Sequence, residues 1–154
     1  MLFLQFQLGK DRYALDSSQV VEVLPLLGIK QIPQAPAGVA GAFNYRGEPV
    51  PVIDLSQLAL GRPARLHMST RVIIVRHPDG DGAQHLLGLI AEKTTQTLRR
   101  DPKDFTDSGV GNDAAPYLGP VATDAEGLIQ WIEVSKLLPA SVREILFKQP
   151  LEQP

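Results

Sequence analysis

Arg46 stands in the segment Asn44-Tyr45-Arg46-Gly47, between two apolar runs. A tight turn has a use for the flanking residues: Gly47 supplies positive φ, and Asn44 bonds its own backbone. It has no need of arginine. A guanidinium suits a partner's carboxylate or carbonyls, or an ion pair within the chain to Glu22 or Glu48. Two acids, Asp54 and Glu133, close apolar runs ahead of short helical segments. A converging pair would do acid–base chemistry; a separated pair would cap the helical turns that follow, which is the simpler expectation. His77 and His85 flank Pro78-Asp79-Gly80-Asp81-Gly82 and would face each other across a β-ladder. The Asp-Gly-Asp-Gly run begins like a calcium loop, but the later ligands and the closing Glu do not follow in register, so no metal is expected. A solvated turn with strand-end histidines accounts for it. Trp131, inside the apolar run Leu128 to Val134, reads as core or as packing between subdomains.

The elements around these residues are mostly strands. Leu2 to Leu8 and Arg12 to Leu15 form a hairpin about Gly9-Lys10-Asp11, and Asp16 caps a short helical turn before Val20 to Leu24. Pro49 to Leu55, Arg71 to His77, His85 to Ile90 and Thr94 to Arg99 are further strands. Leu55 to Leu60 is one short helical turn, and Ala140 to Phe147 is a terminal helix. Loops concentrate at Gly61-Arg62-Pro63 and at Asp107 to Pro116.

Composition removes several function classes. The 154 residues carry a net charge of -2, so no basic field draws the chain to nucleic acid or anionic lipid. There is no cysteine, hence no disulfide, thiol nucleophile or cysteine zinc site. The G-x-S-x-G, P-loop, H-E-x-x-H and dinucleotide motifs are absent. The N-terminal run lacks the basic start and cleavage site of a signal peptide, and no apolar run reaches the ~20 residues that span a bilayer. The expected location is the cytoplasm, without membrane insertion.

The chain repeats itself. Ile53-Asp54-Leu55-Ser56-Gln57-Leu58 matches Ile132-Glu133-Val134-Ser135-Lys136-Leu137, and Ala14-Leu15 with Val20 to Leu24 echoes Gly88-Leu89 with Thr94 to Leu98. Two copies of a β-rich unit of about five strands suit two small barrels that lean on each other. Arg46 has no counterpart: the second copy reads Thr123-Asp124-Ala125-Glu126-Gly127.

These residues carry a family resemblance. Pro33, Pro36, Val39, Gly41, Asn44, Arg46, Gly47, Val50, Pro51, Val52, Ile53, Asp54 and Leu55 resemble the signature of the CheW-like domain, the adaptor of bacterial chemosensory arrays. Phe6-x-Leu8-Gly9 with Tyr13-Ala14-Leu15, Val20-x-Glu22-Val23-Leu24, and Tyr117-Leu118-Gly119 fit as well. The resemblance implies a mainly β fold of two SH3-like five-stranded β-barrel subdomains packed together, with short helices and a C-terminal helix. It implies one domain over residues 1–148, of two intertwined subdomains with boundaries roughly at 16–66 plus the C-terminal segment and at 67–138, and a frayed tail at 149–154. The function implied is a non-enzymatic scaffold, without cofactor, joining the cytoplasmic tip of a chemoreceptor to the regulatory domain of a CheA-type histidine kinase. By position, Val20, Glu22, Gly41, Asn44 and Arg46 fall in the receptor-contact region, Gly47 is the structural turn, and the first barrel provides the kinase face.

The chain departs from the pattern in places. Tyr45 stands where the family favours Leu, and within Leu89 to Leu98 positions that are apolar or acidic in the family have become polar and neutral, as in Thr94-Thr95-Gln96-Thr97. Such departures suit a divergent adaptor in a Wsp-type surface-sensing or type IV pilus-type pathway rather than flagellar chemotaxis. Exposed strand edges on small barrels would permit weak self-association. Two other readings stand beside the adaptor. One is a sensor binding a small ligand between the barrels, which requires a large apolar cavity there. The other is a small hydrolase using Asp54 or the His77/His85 pair, which requires a pocket with converging polar groups.

Overall fold

The structure is a computed structural model and describes residues 1–26, 28–78, 84–107, 109 and 114–147. Its strands are β1 (Leu2–Leu8), β2 (Asp11–Asp16), β3 (Val20–Pro25), β4 (Val39–Tyr45), β5 (Glu48–Asp54), β6 (Arg71–Pro78), β7 (Gln84–Arg99), β8 (Leu118–Asp124) and β9 (Gly127–Ile132). The helices are α1 (Leu55–Leu60) and α2 (Ala140–Leu146). The expected turn after Asp16 is a 3-10 turn, begun where Asp16 Oδ1 accepts from the Ser18 N–H at 2.9 Å. The Asp79–Gly82 turn, most of the 108–113 loop and the 149–154 tail lie outside the described residues.

β7 organises the molecule. The sequence predicts two strands, His85 to Ile90 and Thr94 to Arg99. One continuous strand runs through instead, with Lys93 at φ 46 and a register shift opposite it between Gln5 and Gln7 of β1. The first half of β7 pairs antiparallel with β6 and parallel with β5; the second half pairs antiparallel with β1. Two five-stranded sheets result, β3-β6-β7-β5-β4 and β7-β1-β2-β9-β8. Each curls back on itself through one bridge, Lys30 with Ala42 in the first barrel and Thr106 with Val121 in the second. The chain is thus mainly β, with two barrel subdomains and few helices, as expected.

The internal repeat does not coincide with the barrels. In the first copy, β1 and β2 belong to the second barrel while β3, β4 and β5 build the first. In the second copy, β6 and the first half of β7 complete the first barrel, while the rest of β7, β8 and β9 complete the second. The two copies therefore exchange hairpins. The parallel contact of β2 with β9 at Ala14 and Trp131 is the counterpart of that between β7 and β5 at Gly88 and Val52. The strand pairing thus interleaves the two halves of the chain rather than separating them near residue 66. Hydrogen bonding on both edges assigns a strand to a sheet whatever its place in the chain, and β7 belongs to both.

Three apolar clusters fill the molecule. Val50, Val52, Val72 and Ile74 occupy the first barrel; Phe3, Ala14, Phe105 and Ile129 occupy the second. The third lies between them and joins Leu4, Phe6, Leu8 and Leu15 to Ile53, Ile73, Val75, Leu87 and Leu89. Val72, Ile73, Ile74 and Val75 are all fully buried because β6 faces its own barrel on one side and the other barrel on the second. Trp131 packs edge-on to Phe3 at 4.8 Å between ring centres, in the second barrel rather than between the two.

Candidate docking site on the first barrel

β4 and β5 form a hairpin closed by the pair Tyr45 and Glu48, leaving a two-residue turn. Both turn residues are left-handed, Arg46 at φ 53 and Gly47 at φ 85. This combination matches the strand twist, and glycine or asparagine adopts it most readily. Asn44 Oδ1 accepts from the Gly47 N–H at 2.9 Å, so both residues have the turn-building roles expected of them. The sequence did not reveal that Arg46 itself is left-handed.

Three side chains meet at this turn. The Tyr45 ring is buried in the first barrel's core, and its hydroxyl donates to Glu22 Oε1 at 2.6 Å. Arg46 Nη2 donates to the same oxygen at 3.2 Å. The guanidinium carbon of Arg46 lies 5.2 Å from the centre of the Tyr45 ring, within cation–π range. The Arg46 side chain is 76% exposed and that of Glu22 37%. Among the described residues no other donor reaches Glu22 and no other acceptor takes Arg46. The bond to Glu22, and after it burial, hold the Tyr45 phenol above its ordinary pKa.

The other expected contact residues have different surroundings. Gly41 sits at φ 152 in a bulge of β4, where an added Cβ would lie 2.0 Å from the Lys30 carbonyl oxygen. Its steric requirement is closure of the barrel. Val20 pairs with Val75, and a register shift separates it from Glu22; it packs against the cluster between the barrels. The structure therefore gathers Glu22, Tyr45 and Arg46, while Gly41 and Asn44 support the hairpin that carries them.

The residues suited to hydrolytic chemistry have other roles. Asp54 Oδ1 accepts from the N–H groups of Ser56 at 3.0 Å and Gln57 at 3.2 Å, and Oδ2 from that of Ala64 at 2.9 Å. It caps α1 as expected. Glu133 makes no such cap; its side chain turns to Lys136 at 3.2 Å and lies against Gly119. His77 and His85 do face each other across β6 and β7, and Phe147 stacks on His85 at 4.5 Å between ring centres. Among the described residues no three His, Asp or Glu gather as a metal set. Side chains from both barrels fill the space expected for a ligand. A cleft of about 1070 Å³ lies elsewhere, between Ile32–Pro36, the start of β7 and the end of α2.

Two polar clusters escaped the sequence reading. Glu92 is buried at the middle of β7. It accepts from Arg62 Nη1 at 3.0 Å, the Arg65 N–H at 2.7 Å, the Ser56 hydroxyl at 3.2 Å and the Gly9 N–H at 3.3 Å. Asp124, in the second barrel's counterpart of the Arg46 turn, accepts from Arg12 Nη1 at 3.0 Å and from Arg100. Burial raises the Asp124 carboxyl less than the Arg12 bond lowers it, and its pKa falls to about 2. The available signal was an ionisable residue inside an otherwise apolar strand: Glu92 after Leu89-Ile90-Ala91, and Arg12 before Tyr13-Ala14-Leu15.

Known proteins share this architecture and sequence. The profile of the CheW-like domain matches residues 2–142. Protein FrzA of Myxococcus xanthus is 32% identical over 140 residues, which cover 88% of this chain and 84% of that protein. A chemotaxis protein CheW of Helicobacter pylori is 31% identical over 104 residues, 67% of this chain; the match spans only 59% of the Helicobacter protein. The crystal structure of the scaffolding protein TtCheW from Thermoanaerobacter tengcongensis superposes with a TM-score of 0.81 at 26% identity, covering 94% of this chain and 92% of that one. Sequence and architecture agree: the chain belongs to the CheW-like domain family.

Proposed function

We propose that this chain is a non-enzymatic scaffold of bacterial chemosensory signalling, coupling the cytoplasmic tip of a chemoreceptor to the regulatory domain of a CheA-type histidine kinase. The observation that carries the reading is the exposed Glu22–Arg46 pair, seated on the buried Tyr45 of the first barrel, in a chain whose relatives are chemotaxis and scaffolding proteins. Arg46 and Glu22 are the receptor contacts. Val20, Gly41 and Asn44 act behind them, by packing and by holding the hairpin. The first barrel also offers the kinase face. The assembly works in the cytoplasm; among the described residues no helix is long and apolar enough to cross a membrane.

Transient signalling contacts of this kind bury ~1,200 Å² or somewhat more and place a polar rim around an apolar centre. Replacing Arg46 or Glu22 by Ala should weaken capture of a soluble receptor tip in a three-component pull-down with the kinase, while melting stays cooperative. Capture equal to wild type for both variants would remove the assignment.

A further inference from the structure

We infer that Tyr45 is the positioning residue of this docking pair, its hydroxyl fixing the Glu22 carboxylate and so setting where Arg46 stands. The inference rests on the reading that Glu22 and Arg46 meet the receptor, and it adds a residue that the family resemblance does not supply, since the family favours Leu at this position.

The geometry assigns the role. An exposed ion pair between two long side chains holds neither of them firmly, because water competes and both keep their rotamer freedom. Here the two exposed groups converge on a third that is packed into the barrel core. The Tyr45 ring is locked among the apolar side chains of the first barrel. Its bond to Glu22 Oε1, at 2.6 Å, is the shorter of the two that this oxygen receives, against 3.2 Å from Arg46. The face of the same ring lies under the guanidinium at 5.2 Å. One anchored side chain thus restrains both partners of the pair. Leucine offers neither a hydroxyl nor a π face.

The arrangement also defines what should dock. Both bonds use Oε1, so Oε2 of Glu22 is left to accept, and Nε and Nη1 of Arg46 are left to donate. The complementary surface offers a side-chain donor beside a carboxylate or a backbone carbonyl, at a spacing fixed in advance. Fixing it in advance lowers the ordering cost of association.

The test compares wild type with Tyr45→Phe and Arg46→Ala, titrating each against a soluble cytoplasmic-tip fragment of a chemoreceptor from the same genome. Phe keeps the ring and its packing and removes only the hydroxyl. Binding by Tyr45→Phe should weaken roughly three- to tenfold, the scale of one ordinary net hydrogen bond, with the melting temperature little changed. Normal binding by Tyr45→Phe beside weakened binding by Arg46→Ala would overturn the role of Tyr45 and leave the docking site standing. Normal binding by both would overturn the site as well. A second measurement does not depend on any partner. In ¹³C-tyrosine spectra of wild type and Glu22→Gln, one of the three phenol titrations should move to lower pH in the variant. If none moves, the hydroxyl does not hold the carboxylate and the inference fails.

Discussion

Arg46 occupies a backbone conformation that costs a side-chain-bearing residue on the order of 1 kcal/mol, and the turn would form more readily without it. Its ion pair with Glu22 is exposed and returns at most about as much. Arg46→Asn should therefore leave stability unchanged or raise it by up to about 1 kcal/mol in urea denaturation, while receptor binding falls as it does for Arg46→Ala. A clear loss of stability would show that Arg46 serves the fold. At this scale the site was half legible. Asn44 and Gly47 could be read because turn chemistry is local, and Arg46 stood out because a turn gives it no reason to be there. Tyr45 could not be read as a partner of Glu22, because β3 and β4 are brought together only when the first barrel closes. The steric reason for Gly41 was hidden likewise, since it depends on the carbonyl of Lys30 across that closure.

Among the elements, β7 carries the most, and Glu92 at its midpoint ties the two barrels together. Its carboxylate collects the β1–β2 turn through Gly9, the helix α1 through Ser56, and the following loop through Arg62 and Arg65. Burial pushes its pKa upward, but the bonds from Arg62, Arg65 and Gly9 and the charge of Arg62 prevail and bring it down to about 2. A folded pKa below the unfolded one adds stability above the unfolded value, about 4.3, and that contribution disappears as pH falls through the folded value. Wild type should thus lose roughly 3 kcal/mol between about pH 5 and pH 2 on this account alone. Glu92→Gln should be less stable at neutral pH by roughly 2 to 4 kcal/mol, with a flatter profile across that interval. Urea midpoints at pH 7, 5 and 3 decide it. The continuity of β7 was not legible, because Ala91-Glu92-Lys93 interrupts the apolar pattern as a turn would. The period-two signal also weakens where strands are buried on both faces, as in Val72 to Val75.

For the molecule as a whole, the exchange of hairpins makes each repeat insufficient by itself. Residues 1–66 lack the strands that close the first barrel, and residues 67–154 lack β1 and β2 from the second. Each fragment alone should show no cooperative melting, and mixing the two should restore the circular dichroism of the intact chain. Independent melting of either fragment would contradict the intertwined pairing. The two-barrel plan was legible from the repeat, since both copies keep their spacing, and the family from the signature between Pro33 and Leu55. Which strands exchange was not legible, because spacing records which strands correspond and not which strands touch. The parallel contact of β2 with β9 has a further effect during synthesis. β1, which carries Phe3, is made more than a hundred residues before β9, the strand needed to complete its barrel. The nascent chain must carry this greasy hairpin without its parallel partner until β9 is made, which makes it a natural client for a holding chaperone in that interval.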